Sequence, residues 1–395
     1  MATRGYFFSR ATAEATSTAT AFTNTATLSF TPSDNQSYAL FWSCMGQHDD
    51  VTTDLLVDFL HNTNSATIGS INVEPRDSTS YFSFGGLGIA TFATATGAHT
   101  FNIRLGNETA TTASRVKDHG ITALMLSTGD QFRESVSAVT TTSTAAYQTV
   151  ATFSFTPSAT GDYLVLAYAD WAAGATAGLV SSNIRLQGGG TATFYGVATN
   201  SDNDNTTFRS WETGVRVAMT TTQWDFSIDA FGATTSLTKT RNHRFVALRF
   251  DGFELVDYAE DLSTITVTTT SSATAVSLSA TTSAREYLVL GHTLAEAGTN
   301  VIDSVGEFLE DGVVVLSSNE EPPASNQQRT IFTNYTKSFT AGTHTFRWSV
   351  YGESAANFYR MDESVIALFD LEGTAAAAGT IIPQIMESYR RRRLY

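Results

Sequence analysis

A set of short motifs recurs three times along this chain, and the recurrence constrains the fold more than any single residue does. The first copy reads Phe30-Thr31-Pro32-Ser33, then Tyr38. The second reads Phe155-Thr156-Pro157-Ser158, then Tyr163, and a worn third reads Leu278-Ser279-Ala280-Thr281, then Tyr287. A second landmark follows in each copy: His99-Thr100-Phe101, Trp224-Asp225-Phe226 and His344-Thr345-Phe346. Ala123-Leu124, Ala247-Leu248 and Ala367-Leu368 close the copies. The tyrosines stand 125 and 124 residues apart, and the alanines 124 and 120. Such a period is the length of a domain, well beyond the roughly 20–50 residues of a solenoid repeat. The expected organisation is three tandem domains over 1–127, 128–250 and 251–372, each long enough to bury its own core. A linker and tail follow over 373–395. Short connections between the domains predict apolar contacts at the boundaries near Phe132 and Phe253.

Within a copy, strand signals are dense and helix signals scarce. Thr149 to Thr156 alternates apolar and hydroxyl residues, the period-2 pattern of a half-buried strand, and Pro157 ends it. Tyr163 to Tyr168 is apolar at nearly every position and reads as a more fully buried strand. Asn183 to Gln187 stops at Gly188-Gly189-Gly190. Gly214 to Met219, Trp224 to Ile228 and Arg244 to Phe250 are further runs, with Phe132 to Thr140 in front. About eight short strands in such a length predict an all-β antiparallel sandwich, most economically a jelly roll. An immunoglobulin-type sandwich is the alternative, with fewer strands and a Cys…Trp…Cys signature that this chain lacks.

Only 15% of the residues are charged, below the usual quarter or so, and Thr, Ser and Ala fill the deficit. Threonine suits the polar, uncharged outer face of a pleated sheet. The net charge of −15 argues against general nucleic-acid binding. Residues 373–395 carry four arginines against Glu387, a net of +3, which leaves −18 on the domains. The single cysteine, Cys44, excludes an intrachain disulfide, and it reads as a buried, inert thiol. The first residues lack an apolar run of signal-peptide length, and no stretch approaches a membrane span. The expectation is a protein assembled in a cytoplasm, with no membrane partner.

The layout of each copy resembles the C1q/TNF-like jelly-roll heads: a strand, a turn with proline, a buried strand with tyrosine, a late His-Thr-Phe and a final Ala-Leu strand. Such heads are common at the ends of phage and bacterial fibres. The tail, Ile381-Ile382-Pro383-Gln384-Ile385-Met386 before an arginine run, resembles C-terminal tails of tailed-phage virion proteins. These resemblances imply a bacteriophage virion structural protein (capsid decoration, head-fibre or tail-fibre) assembled in the host cytoplasm. Its partners would be other capsid or tail subunits and further copies of itself. Ile381, Ile382, Ile385 and Met386 would fill a partner's apolar groove, with Arg390, Arg391, Arg392 and Arg393 meeting carboxylates or phosphates at its rim.

The repeats also test for chemistry. His99 and His344 occupy a place held by Trp224 in the middle copy, and His119 aligns with His243 and Glu363. Positions that accept such different side chains are packing or turn positions, not general bases. His48-Asp49-Asp50 with Asp54, Asp58 and His61, and Asp202 to Asn205, are acidic enough to hold a cation. The second lacks the glycine and bidentate glutamate of a calcium loop, and both read as solvated loops. There is no phosphate-binding glycine loop, no serine elbow and no paired-carboxylate motif, so no catalytic, cofactor or metal residue is expected. Trp42 and Trp171 align loosely, and either could stack on a sugar if exposed. An array of carbohydrate-binding sandwiches attaching to a host surface glycan is therefore the alternative function. Core or inter-domain packing is the other role open to the two rings.

Overall fold

The computed structural model describes residues 5–73, 78–94, 97–142, 146–173, 182–188, 193–200, 208–232, 237–250, 256–298, 304–320, 327–352, 354 and 358–372. Strand follows strand throughout, and a 3-10 turn at Asn62–Asn64 is the only helical segment longer than one residue among them. The first unit contains β1 (Tyr6–Ala11), β2 (Ala15–Ser17), β3 (Thr23–Phe30), β4 (Gln36–His48), β5 (Leu55–His61), β6 (Ala66–Val73), β7 (Phe82–Phe92), β8 (His99–Asn107) and β9 (Ser114–Met125). The middle unit contains β10 (Gln131–Ser135), β11 (Val139–Thr140), β12 (Gln148–Phe155), β13 (Gly161–Ala173), β14 (Ser182–Gly188), β15 (Thr193–Asn200), β16 (Arg209–Met219), β17 (Trp224–Gly232) and β18 (Thr238–Arg249). The last unit contains β19 (Val256–Asp261), β20 (Ile265–Val267), β21 (Ala273–Thr282), β22 (Glu286–Ala297), β23 (Ser304–Glu310), β24 (Val313–Glu320), β25 (Gln327–Ser338), β26 (Gly342–Gly352) and β27 (Tyr359–Asp370).

The three units share one strand order. One sheet runs β1-β9-β4-β7, repeated as β10-β18-β13-β16 and β19-β27-β22-β25; β2, β11 and β20 extend its edge. The other runs β3-β8-β5-β6, repeated as β12-β17-β14-β15 and β21-β26-β23-β24. Every pairing is antiparallel, giving three jelly-roll sandwiches. The strand β15, hidden behind the glycine run, is absent from the sequence reading, and β13 runs well past Tyr168.

Register corrects the third copy. His99 pairs with Phe30 and Trp224 with Phe155, but His344 pairs with Ala280, so Ala280 and not Leu278 is the counterpart of the two phenylalanines. The closing strand slips by one residue. Each closing strand has a bulge against the fourth strand of its unit, and Asp118, Asn242 and Glu363 share a positive φ in it, which places Ser364 beside His119 and His243, and Leu368 beside Ala123 and Ala247. A slip of one residue moves a side chain to the opposite face of a sheet, so Ala367 points away from the core that Ala123 and Ala247 line.

Each sandwich is filled by aromatics. Phe30, Tyr38, Trp42, Phe59 and Phe101 centre the first core; Tyr163, Trp211 and Phe226 the second; Tyr287, Phe308, Phe346 and Trp348 the third. One fully buried tryptophan serves each centre, but from different strands: Trp42 on β4, Trp211 on β16 and Trp348 on β26. The last unit has Gly291 at the Trp42 position. A Cβ there would lie 3.2 Å from Trp348 Nε1, so the indole of the last unit occupies the space that a large residue on β22 would need.

Candidate functional site

The fourth strand of every unit is apolar on both faces: Tyr38 to Trp42, Tyr163 to Tyr168, Tyr287 to Leu290. One face serves the unit's own sandwich. The other faces join across units. Ala39, Phe41 and Leu124 of the first unit, Leu164, Leu166 and Leu248 of the middle, and Leu288, Leu290 and Phe369 of the last belong to a single buried cluster. The three sheets that carry the fourth strands therefore turn their outer faces on one another around a shared axis. Each such leucine or phenylalanine side chain, taken from water, contributes about 1.5–3 kcal/mol. Apolar contacts do form at the boundaries, where Leu126 joins this cluster and Phe250 packs on Phe369 and Tyr258, but Phe132 itself is 39% exposed and Phe253 lies outside the described residues.

Further along the axis the contacts become polar, and each interface is built differently. Between the first and last units, Ser43 Oγ donates to the Asn334 carbonyl at 2.8 Å, Ser83 Oγ to that of Phe332 at 2.5 Å, and the Thr122 and Thr336 hydroxyls meet at 2.8 Å. Between the first and middle units, Arg244 Nη2 donates to the Ile68 carbonyl at 2.6 Å and Arg241 Nη2 to that of Ser70 at 2.8 Å. Asp170, fully buried, accepts from Arg241 Nε at 3.2 Å, from Asn242 Nδ2 at 2.7 Å and from the Tyr168 hydroxyl. Burial raises its pKa, and Arg241 opposes that rise. Between the middle and last units, the Gly214 amide donates to His292 Nε2 at 3.4 Å. Burial pushes His292 down to about 3 and Glu212 up to about 8, the latter tempered by the Asn334 side chain. Glu212 Oε2 has no hydrogen-bond partner, so the carboxyl is held protonated at neutral pH.

Two consecutive glycines in β7 allow the first unit to approach both others. A Cβ on Gly85 would fall 2.5 Å from the Phe332 ring of the last unit, and one on Gly86 would fall 2.1 Å from the Tyr168 ring of the middle unit. Sequence reasoning passed over Gly85-Gly86. A glycine pair inside a strand is itself a signal of close backbone approach.

The residues singled out from the sequence end in different places. Ile381, Ile382, Ile385, Met386 and Arg390 to Arg393 lie outside the described residues, as does the Asp202 to Asn205 cluster. Trp42 and Trp171 are 0% and 3% exposed. Neither presents a ring face, so of the two roles open to these rings the structure gives them packing and not sugar stacking. Nor are they counterparts: Trp42 faces Gly86 across β7, whereas Trp171 faces Arg209 across β16, four positions further along its strand. The acidic cluster of the first unit is dispersed. Asp49 pairs with Arg115 at 3.0 Å, Asp58 with Arg104 at 2.7 Å, and Asp50 accepts from the Thr52 amide. Among the described residues no three His, Cys, Asp or Glu side chains converge to hold a metal. His99 lies against Phe92 and hydrogen-bonds His61 at 2.9 Å, while His344 pairs with Asp311 at 2.6 Å and packs on Phe339. Cys44 is buried in the first core, which drives its thiol pKa up.

No protein family matches the chain, and no curated protein matches it. Among solved structures, the insecticidal delta-endotoxin Cry8Ea1 of Bacillus thuringiensis is 9% identical with a TM-score of 0.21, over 82% of this chain and 53% of the toxin. The infectious bursal disease virus Gt strain is 7% identical with a TM-score of 0.23, over 99% of this chain and 90% of that one. The VP2 subviral particle of the same virus is 6% identical with a TM-score of 0.23, over 99% and 88%. The chain thus spans about half the length of the toxin.

Proposed function

We propose that this chain is a non-enzymatic structural component of a virion, a three-unit head of a tailed-phage particle of the capsid-decoration, head-fibre or tail-fibre kind. The observation that carries the reading is that the chain uses three sheet faces to complete itself and leaves its connections at one end. Tyr6 donates to Glu286 at 2.6 Å and to Glu372 at 3.1 Å, so the first and last described strands meet there. The links from β9 to β10 and from β18 to β19 leave the same end, because each closing strand ends where the leading strand of its own unit begins. A tail following residue 372 would start from that end too, leaving the opposite end outward. The shared strand order suits the C1q/TNF-like heads that the sequence resembles. Asp170, Glu212 and His292 lie where units meet and Asp58 is in an ion pair, which supports a structural reading over a catalytic one. The alternative of a sugar-binding array loses its two stacking rings.

The test is incorporation. Particles purified by density gradient from a lysed host should contain the full chain at fixed copy number. A chain lacking residues 380–395 should fold normally and be missing from them. Absence of the full chain from particles would overturn the virion assignment; normal incorporation of the truncated chain would overturn the anchoring role of the tail. Release that depends steeply on salt would assign attachment to Arg390 to Arg393, and weak dependence to the isoleucines.

A further inference from the structure

In the first unit, the gap between the leading strand and the second sheet is closed twice. Phe7 stacks on Phe30 with ring centroids 4.4 Å apart, and His119 Nε2 donates to the Thr25 carbonyl, at the bulge of β3, over 2.8 Å. The middle unit has neither closure. Register puts Gln131 in the place of Phe7 and Val150 in that of Thr25. His243, in the place of His119, turns to Thr240 Oγ1 at 2.9 Å instead. A cleft of about 220 Å³ remains between β10, β12 and β18.

The walls of this cleft are chemically sorted. Among the lining residues Val150 and Phe245 are apolar, Ser135 and Thr152 carry hydroxyls, and Arg133 and His243 bring a guanidinium and an imidazole. Arg133 occupies the strand parity that faces the core in the first unit, where Ser9 stands. Among the described residues no carboxylate pairs with it, since the neighbouring Glu134 is taken by Arg244 at 2.6 Å. His243 is 1% exposed; its ring is held by the Thr240 hydroxyl and the Ser135 backbone, and its Nδ1 makes no hydrogen bond of good geometry. A buried polar atom without a well-made hydrogen bond is costly, and a guanidinium fork matches a carboxylate with two parallel hydrogen bonds.

We propose that this cleft binds a small hydroxylated carboxylate, a sugar acid in size and chemistry. Its carboxylate rests on Arg133, its hydroxyls meet His243 and Ser135, and its carbon face lies on Phe245 and Val150. The volume exceeds the roughly 150 Å³ that encloses a benzene and falls below the roughly 300 Å³ where drug-sized sites begin, so one ring fits. An inorganic anion would leave the apolar wall uncovered. The inference is independent of the virion reading. The ligand could be a free acid or an acidic residue of a polysaccharide, because the two share this chemistry.

The test is calorimetric titration of the full chain with glucuronate, with a short uronate oligomer, and with glucose and benzoate as comparators. Glucuronate should bind saturably, and glucose and benzoate at least about tenfold more weakly. Arg133→Gln should abolish the binding without lowering Tm, since Arg133 is exposed. Arg133→Lys should restore part of it. Tighter binding of the oligomer would support a polysaccharide source, and binding of the monomer alone a free acid. No saturable binding of either at millimolar concentration, equal binding of glucose, or undiminished binding by the Arg133→Gln variant would overturn the proposal.

Discussion

Glu212 and His292 are both buried where units meet, and burial moves them in opposite directions: the carboxyl up to about 8, the imidazole down to about 3. The unfolded chain ionises a glutamate near 4.5, while the folded chain keeps Glu212 protonated up to about 8. Its contribution to stability is therefore complete at low pH and is lost as the pH rises from 4.5 to 8, by at most about 1.4 kcal/mol per pH unit. Glu212→Gln, neutral and nearly isosteric, should match the wild type near pH 4.5, gain steadily on it up to pH 8, and gain no more beyond. Thermal unfolding of both proteins across that range checks this, and a difference independent of pH would mean that Glu212 is not held protonated. His292 behaves as the mirror image. Its neutral ring accepts from the Gly214 amide, and the unfolded chain takes up a proton below about 6.5 that the folded chain refuses. Stability from this group is complete above 6.5 and falls as the pH drops toward 3. His292→Gln should therefore lose less stability than the wild type between pH 6.5 and 4. None of this was legible in the sequence, where His292 and Glu212 belong to no motif and their burial depends on neighbours more than seventy residues away.

At the scale of elements, most of the fold was legible and the assembly was not. The period-2 alternation of Thr149 to Phe155 marks a strand with one buried face, and β12 has that pattern. The apolar runs at Tyr38, Tyr163 and Tyr287 carried a further message. In an antiparallel sandwich a strand apolar on both faces must have its outer face covered by something, and the cover is the same strand of the sister units. Register failed in the last unit because its turn before Tyr287 is one residue shorter, and because Ala367-Leu368 imitates Ala123-Leu124 one position out of step. Strand β7 offers the direct test of how the units meet. Gly86→Ala should cost about 1–3 kcal/mol by overpacking against Tyr168, beyond the strain of any side chain at φ +157°. In a double-mutant cycle, Tyr168→Leu should offset the overpacking but not the backbone strain, because a Cβ at residue 86 would strike the ring itself. Purely additive effects in denaturant unfolding would mean that the two residues do not touch.

For the whole molecule, three similar domains in one chain close a ring that separate chains would have to find by diffusion. Tethering replaces a bimolecular step with a local one. It also frees the interfaces to differ, which identical subunits related by symmetry cannot do. They do differ here: serine hydroxyls on backbone carbonyls at one, arginines at the second, a neutral histidine at the third. The same freedom opened a cleft in the middle unit that Phe7 and His119 close in the first. The arrangement makes a prediction about each unit alone. Residues 128–250 have a complete sandwich core, with Tyr163, Trp211 and Phe226 inside. Cut from the chain, they would expose Leu164, Leu166, Val246 and Leu248 as one apolar face, together with Tyr168, Asp170 and Arg244, which are buried in the full chain. A contiguous apolar face of that kind drives association. The isolated unit should therefore self-associate or aggregate, while the full chain should not require the same face to oligomerise. Sedimentation of the two side by side checks it. Leu166→Glu in the isolated unit should restore a monomer, and in the full chain it should destabilise the fold by placing a charge in the shared core. A well-behaved monomer from unaltered residues 128–250 would mean that the shared axis contributes little to holding the three units together.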